Sequence, residues 1–151
     1  LLVAVAVVLF AFALLALFPK KLTPPEVITP NIQQNSVEKL TQTTWVWQET
    51  QLGSDTPVQP KQTAAFTLKF TTESIQLTTD CNNGFGNYML SNENTITIGQ
   101  IASTLMYCEG SQESLFFEQL SQVDTYLIDQ DTLYLFLTED SGTMTFVAKS
   151  L

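Results

Sequence analysis

The sequence contains no arginine and no histidine, and its six basic residues are all lysine. Without arginine there is no planar fork to clamp a phosphate or a guanine edge. Fifteen acidic residues leave a formal charge of -9, which repels a nucleic-acid backbone, so no nucleic-acid partner is expected. Without histidine there is no imidazole base, no Ser-His-Asp or Cys-His nucleophile and no imidazole metal ligand. Cysteine occurs only at positions 81 and 108, too few thiolates to complete a structural zinc site unaided. A length of 151 residues allows one domain and an appendage.

What is abundant is unevenly placed. Leu1 to Phe18 is an unbroken run of eighteen Leu, Val, Ala and Phe residues. As a helix it would reach about 27 Å, close to the ~30 Å hydrocarbon core of a bilayer. Pro19, Lys20 and Lys21 then end the run at a membrane surface, where lysines snorkel to headgroups. A core helix apolar on every side would need a larger domain to surround it. Ala11-Phe12-Ala13 looks like a signal-cleavage site, yet the apolar run continues past it, beyond the ~7–15 residues usual in a secretory signal. Residues 1–19 are therefore expected to be a retained, single-pass transmembrane helix whose partner is membrane lipid. Lys20 and Lys21 by themselves favour a cytoplasmic C-terminal side. Residues 20–43, with Pro24, Pro25, Pro30 and a polar stretch from Asn31 to Ser36, read as a tether, with a short helix near Val37 to Leu40 as the alternative at its end.

From residue 44 to 149 the period is mostly two. Trp45 and Trp47 alternate with Val46 and Gln48; Phe66, Leu68 and Phe70 alternate with Thr67 and Lys69. Ile75 and Leu77 begin another strand. Asn82, Asn83, Gly84 and Gly86 tolerate positive φ, so a tight turn or bulge is expected there. Tyr88 to Leu90 and Thr95 to Ile98 are expected to pair across Ser91 to Asn94. Three further strands around Tyr126, Leu135 and Phe146 form a meander with turns at Asp129-Gln130-Asp131 and Asp140-Ser141-Gly142. One segment breaks the period: Phe116, Leu120 and Val123 fall at i, i+4 and i+7, behind Gly110 or Ser111 as cap and with Glu113 near the start. The expected class is mainly β with one α-helix, a small antiparallel sheet closed or nearly closed on itself and covered at one end by the helix.

Candidate chemistry is thin. Asp80, Asn82, Asn83 and Asn87 form an oxygen-rich group, but no acidic residue closes a calcium loop and asparagine is also a turn residue. Asp129 and Asp131 sit at an expected hairpin tip, where water equalises their acidity. Ser103 and Thr104 lack a neighbouring base. Trp45, Trp47, Phe116 and Phe117 read as core. No catalytic, cofactor-binding or metal-ligating residue is assigned, and no cofactor is expected.

Two blocks in order are more specific: Asp80-Cys81-Asn82-Asn83-Gly84-Phe85-Gly86-Asn87-Tyr88, then Ile98 to Cys108 with its Thr104-Leu105-Met106-Tyr107-Cys108, followed by Glu113-Ser114-Leu115-Phe116. With the aromatic first strand before them, they make residues 44–149 resemble the META domain, the family of the bacterial HslJ-like heat-shock lipoproteins. The resemblance implies a small cracked β-barrel, association with the cell envelope and no enzymatic activity. It also argues for an extracytoplasmic domain, against the lysine pair. The chain departs from the lipoprotein pattern, since no lipobox cysteine precedes Cys81.

Cys81 and Cys108 each lie in one of the two blocks. Outside the cytoplasm they are expected to pair as a disulfide, with two separately buried thiols as the alternative. The function that the resemblance implies is a membrane-anchored, non-catalytic structural or protein-binding module, its partner another envelope or membrane protein. The alternative is a carrier holding an apolar ligand, such as an acyl chain, inside the barrel.

Overall fold

The computed structural model describes residues 32–91 and 94–150. The expected membrane helix, Leu1 to Phe18, lies outside them; among the described residues no helix is long and apolar enough to cross a membrane. In chain order the elements are α1 (Ile32–Gln42), β1 (Thr44–Leu52), β2 (Thr67–Phe70), β3 (Ser74–Thr78), β4 (Asn83–Ser91), β5 (Thr95–Ile98), β6 (Ala102–Ser103), α2 (Glu113–Ser121), β7 (Val123–Asp129), β8 (Thr132–Leu137) and β9 (Gly142–Ala148).

Every strand pairing is antiparallel, and the sheet closes because β3 pairs with both β2 and β4. The eight-stranded circuit runs β1-β2-β3-β4-β5-β7-β8-β9 and back to β1, with the short β6 added beside the start of β4. Its seam is between β5 and β7, joined by the pair Thr95 and Thr125 and by the Tyr126 N–H donating to the Asn94 carbonyl at 2.9 Å. The two ends of the barrel differ. At one, α1 leads into Thr44, with Phe70, Ser74, Asp129, Thr132 and Ala148; at the other lie Leu52, Thr67, Thr78, Asn83, Leu137 and Gly142.

The alternating residues face inward as expected, among them Leu68, Phe70, Ile75, Leu77, Leu133, Leu135 and Phe146. A register shift between Trp47 and Glu49 lets Trp45, Trp47 and then Thr50 all turn inward from β1. Thr50 is the polar centre of the core: it accepts the Trp47 indole N–H at 3.1 Å and donates to Gln119 Oε1 at 2.8 Å. The Gln119 amide nitrogen is buried without a partner.

α2 closes the far end. Phe116 is fully buried, its ring 5.3 Å from Trp47, 5.1 Å from Phe66 and 6.2 Å from Phe146. Burying one such side chain contributes about 1.5–3 kcal/mol. The helix is shorter than the i, i+4, i+7 spacing implied, because Val123 is the first residue of β7, whose inward position suits it equally.

Two further expectations are corrected. The tether does not extend to residue 43, since Ile32–Gln42 is helical and Leu40 is fully buried in the core, its carbonyl accepting the Trp45 indole N–H at 3.1 Å. Among the described residues there are accordingly two α-helices. Nor do Asn83, Gly84 and Gly86 make a turn: Asn82 closes one, its carbonyl accepting the Thr79 N–H at 2.9 Å, and Asn83, Gly84 and Gly86 lie in β4 with no positive φ. The glycines serve space: a Cβ on Gly84 would stand 3.2 Å from the Phe117 ring and 3.3 Å from Ile101 and Leu77 side chains, and one on Gly86 3.1 Å from the Gln100 carbonyl oxygen. Their missing side chains let α2 and the strand entering β6 cross the inner face of β4.

Candidate functional site

At the α2 end, the two sequence blocks meet in one polar brace around the loop from Thr104 to Gly110. Cys81 and Cys108 form a disulfide, S–S 2.04 Å with Cα atoms 5.7 Å apart, which ties the turn before β4 to the end of that loop. Asn82, 5 % exposed, holds the loop's middle. Its Oδ1 accepts the Met106 N–H at 2.9 Å and the Thr104 hydroxyl at 2.7 Å, while its Nδ2 donates to the Met106 carbonyl at 3.0 Å. The Thr104 N–H donates to the Asn83 carbonyl at 3.1 Å.

Two carboxylates anchor this brace to the start of α2. Glu113 accepts the Asn82 N–H at 3.1 Å and its side-chain amide at 3.0 Å, with the Thr79 hydroxyl 2.6 Å away. Asp80 accepts the Ser111 hydroxyl and, at 2.9 Å, the Gln112 N–H. Ser111 in turn accepts the Glu113 N–H at 3.0 Å, so the expected capping serine does cap, although Gln112 occupies the N-cap position. The free Glu113 N–H of the helix start is thus met by Ser111, and the N–H of the N-cap residue Gln112 by Asp80 of the β3–β4 turn. From the other side the Lys61 ammonium donates to the Gly110 carbonyl at 2.8 Å.

What this frame presents is apolar. Leu105 is 99 % exposed, Met106 64 % and Tyr107 90 %. The outward row of β4 alternates Asn83, Phe85, Asn87 and Met89; Phe85, near the loop, is mostly exposed and pairs across to the exposed Ala102 of β6, and Met89 lies farther along the strand. Isolated exposed apolar residues are ordinary, but three consecutive ones held out by a disulfide and a hydrogen-bonded frame are the signature of a contact surface. The backbone of the loop is pinned at Thr104, Met106 and Cys108, which keeps the three side chains from folding back onto the barrel. Sequence reasoning missed these residues. The only signal was three consecutive apolar residues without alternation, between Thr104 and Cys108.

The candidate chemical groups are used or dispersed. The acceptor atoms of Asp80 and Asn82 are occupied by protein donors, while Asn83 and Asn87 point outward from β4. Among the described residues there is no group of three or more acidic or cysteine side chains able to hold a metal. Asp129 and Asp131 lie exposed at the β7–β8 turn, where Asp131 pairs with Lys39 of α1 at 3.0 Å. Thr104 spends its hydroxyl on Asn82.

A family model for the META domain matches residues 38–150. The chain belongs to the META domain family. Its start at residue 38 agrees with the inclusion of Leu40 in the core. Among solved structures, the chain is similar to a protein from Burkholderia xenovorans determined by NMR, with 20% identity and a TM-score of 0.65, covering 89% of this chain and 100% of that one. It is also similar to a DUF4847 family protein from Bacteroides vulgatus in a crystal structure, with 14% identity and a TM-score of 0.59 over 76% of this chain and 97% of the other. These likenesses are of fold. No curated protein matches the chain.

Proposed function

We propose that this META domain is a non-catalytic docking module, anchored in a membrane by Leu1 to Phe18 and held on its extracytoplasmic side, which binds another protein of the envelope or of a membrane complex. The observation that carries the reading is the braced loop with Leu105, Met106 and Tyr107 exposed. A loop fixed before binding loses little conformational entropy on binding, and apolar anchors of this kind dominate interface energetics. The disulfide supports the outside placement, because such bonds persist in oxidising compartments. The anchor rests on the length of the apolar run. A carrier of an apolar ligand has less support, since the barrel interior holds the packed rings of Trp47, Phe66, Phe116 and Phe146, which an acyl chain would have to displace.

The test places a photo-crosslinking amino acid at position 107 of the full chain in its native membrane. Protein adducts are expected, and they should disappear when Leu105 and Met106 are changed to serine. Adducts to lipid alone, or protein adducts indifferent to those changes, would overturn the reading. Release of the full chain by alkaline carbonate would overturn the anchor.

A further inference from the structure

We infer that the surface this loop docks onto is a basic protein surface, an apolar socket rimmed by lysine or arginine, facing the end of the barrel that points away from the anchor. The inference rests on the docking reading above and adds the partner's chemistry and direction.

Two independent features of the fold support it. The first is polarity of position. α1 carries the chain into Thr44 at one end of the barrel, whereas the loop, the disulfide and α2 lie at the other, beside Thr78, Asn83 and Leu137. The described chain therefore enters the barrel at the end opposite the apolar loop. The second is polarity of charge. Around the loop end the exposed carboxylates are Asp55, Glu109, Glu118, Asp124, Glu139 and Asp140, against the cation Lys61. At the α1 end Lys39 and Lys149 lie among Glu38, Glu73, Asp129 and Asp131, so the balance there is closer to neutral, and Lys20 and Lys21 precede it in sequence.

This separation selects among occupants. A phospholipid surface is commonly anionic and would be repelled by the acidic rim, even though Tyr107 and Leu105 suit an interface. A second copy meeting the first loop to loop would bring the same carboxylates together. A basic rim around an apolar socket meets both features at once: the three side chains fill the socket, and the carboxylates steer and orient the approach.

The decisive experiment uses the full chain in its native membrane with benzoylphenylalanine at position 107 as the probe, and maps the crosslinked peptide by mass spectrometry. The adduct is expected on a protein segment carrying surplus lysine or arginine beside apolar residues. Its yield should fall about 5-fold when NaCl is raised from about 0.05 M to about 0.5 M, and by a similar factor in the combined variant Glu109→Lys, Glu118→Lys and Asp124→Lys. Lys149→Glu, at the opposite end, should leave it unchanged. All four positions are exposed, and an intact disulfide with an unchanged circular dichroism spectrum establishes that each variant has folded. A protein adduct that needs Leu105 and Met106 but ignores salt and the rim charges would overturn this inference while leaving the docking reading in place. Adducts to lipid alone, or none, would overturn both, and an adduct to a second copy of the chain would overturn the basic partner.

Discussion

Glu113 holds Asn82 at two points, its carboxylate accepting both the backbone N–H at 3.1 Å and the side-chain amide at 3.0 Å. A residue in the first turn of α2 thereby fixes the orientation of an asparagine before β4, and that asparagine fixes the loop at Met106. The contact also suits the charge of Glu113, which sits at the positive end of the helix dipole.

Asn82→Ala removes four side-chain hydrogen bonds in a buried setting and leaves Met106 N–H and part of Glu113 without partners. At about 1 kcal/mol net for each, the loss should be roughly 2–4 kcal/mol. Urea denaturation measures it. Amide exchange at Met106 should accelerate more than exchange in β8, which is remote from the loop. Equal acceleration at both would mean that Asn82 supports the whole barrel and not the loop in particular.

Gly84 tests whether the glycines of β4 provide room or backbone freedom. With no positive φ to require freedom, and were room not needed either, Gly84→Ala in a strand would raise stability by about 0.5–1 kcal/mol. With Phe117, Ile101 and Leu77 all within 3.3 Å of the added Cβ, the expected result is a loss of about 1–3 kcal/mol. Phe117→Leu should recover part of that loss in a double-mutant cycle. A stabilised Gly84→Ala protein would refute the close crossing of α2 over β4.

The same glycines show where the sequence stopped being legible. Alternation identified the strands at Leu68, Ile75, Leu135 and Phe146 because each needs only its own two faces to be understood. Asn82 to Gly86 has the composition of a turn, and nothing local distinguishes a glycine that bends the chain from one that admits Phe117, thirty-three positions away. α1 was legible only as the alternative of a short helix near Val37 to Leu40, for a related reason. Its sequence IQQNSVEKLTQ has few apolar residues, and Leu40 is recruited to the core by a tertiary contact with Trp45. Cys81, Cys108 and Asn82 were legible through the two blocks that carry the family resemblance. That Leu105, Met106 and Tyr107 point outward was not, because composition alone assigns such residues to a core.

The disulfide should be complete in protein purified without reductant, with no cysteine available to alkylation before reduction. Changing Cys81 and Cys108 together to serine should cost about 3–4 kcal/mol, the loop-closure entropy for a sequence separation of 27 on a chain model whose mechanism is debated. The loop should loosen as well, so crosslinking from position 107 should weaken in the double variant even where the barrel remains folded. Two alkylated cysteines in the unreduced protein would contradict both the bond and the extracytoplasmic placement.

Tyr88 gives the fold an alkaline limit. Its ring packs edge-on against Phe70 at 5.0 Å, and its hydroxyl donates to the Thr71 carbonyl at 2.6 Å. Burial raises its pKa above the ordinary 10.0, and the neighbouring Tyr126 adds to the rise. The folded protein therefore prefers the neutral phenol, while the unfolded chain ionises first. The resulting contribution to stability is fully present below pH 10.0 and is lost as pH rises from there through the higher folded value. Tyr88→Phe should cost about 1 kcal/mol at neutral pH through the lost hydrogen bond. Above pH 10 its stability should fall less steeply than that of the parent, since the phenol no longer titrates. Urea midpoints measured across that range decide the matter, and parallel slopes for the two proteins would show that Tyr88 ionises as freely in the fold as in the unfolded chain.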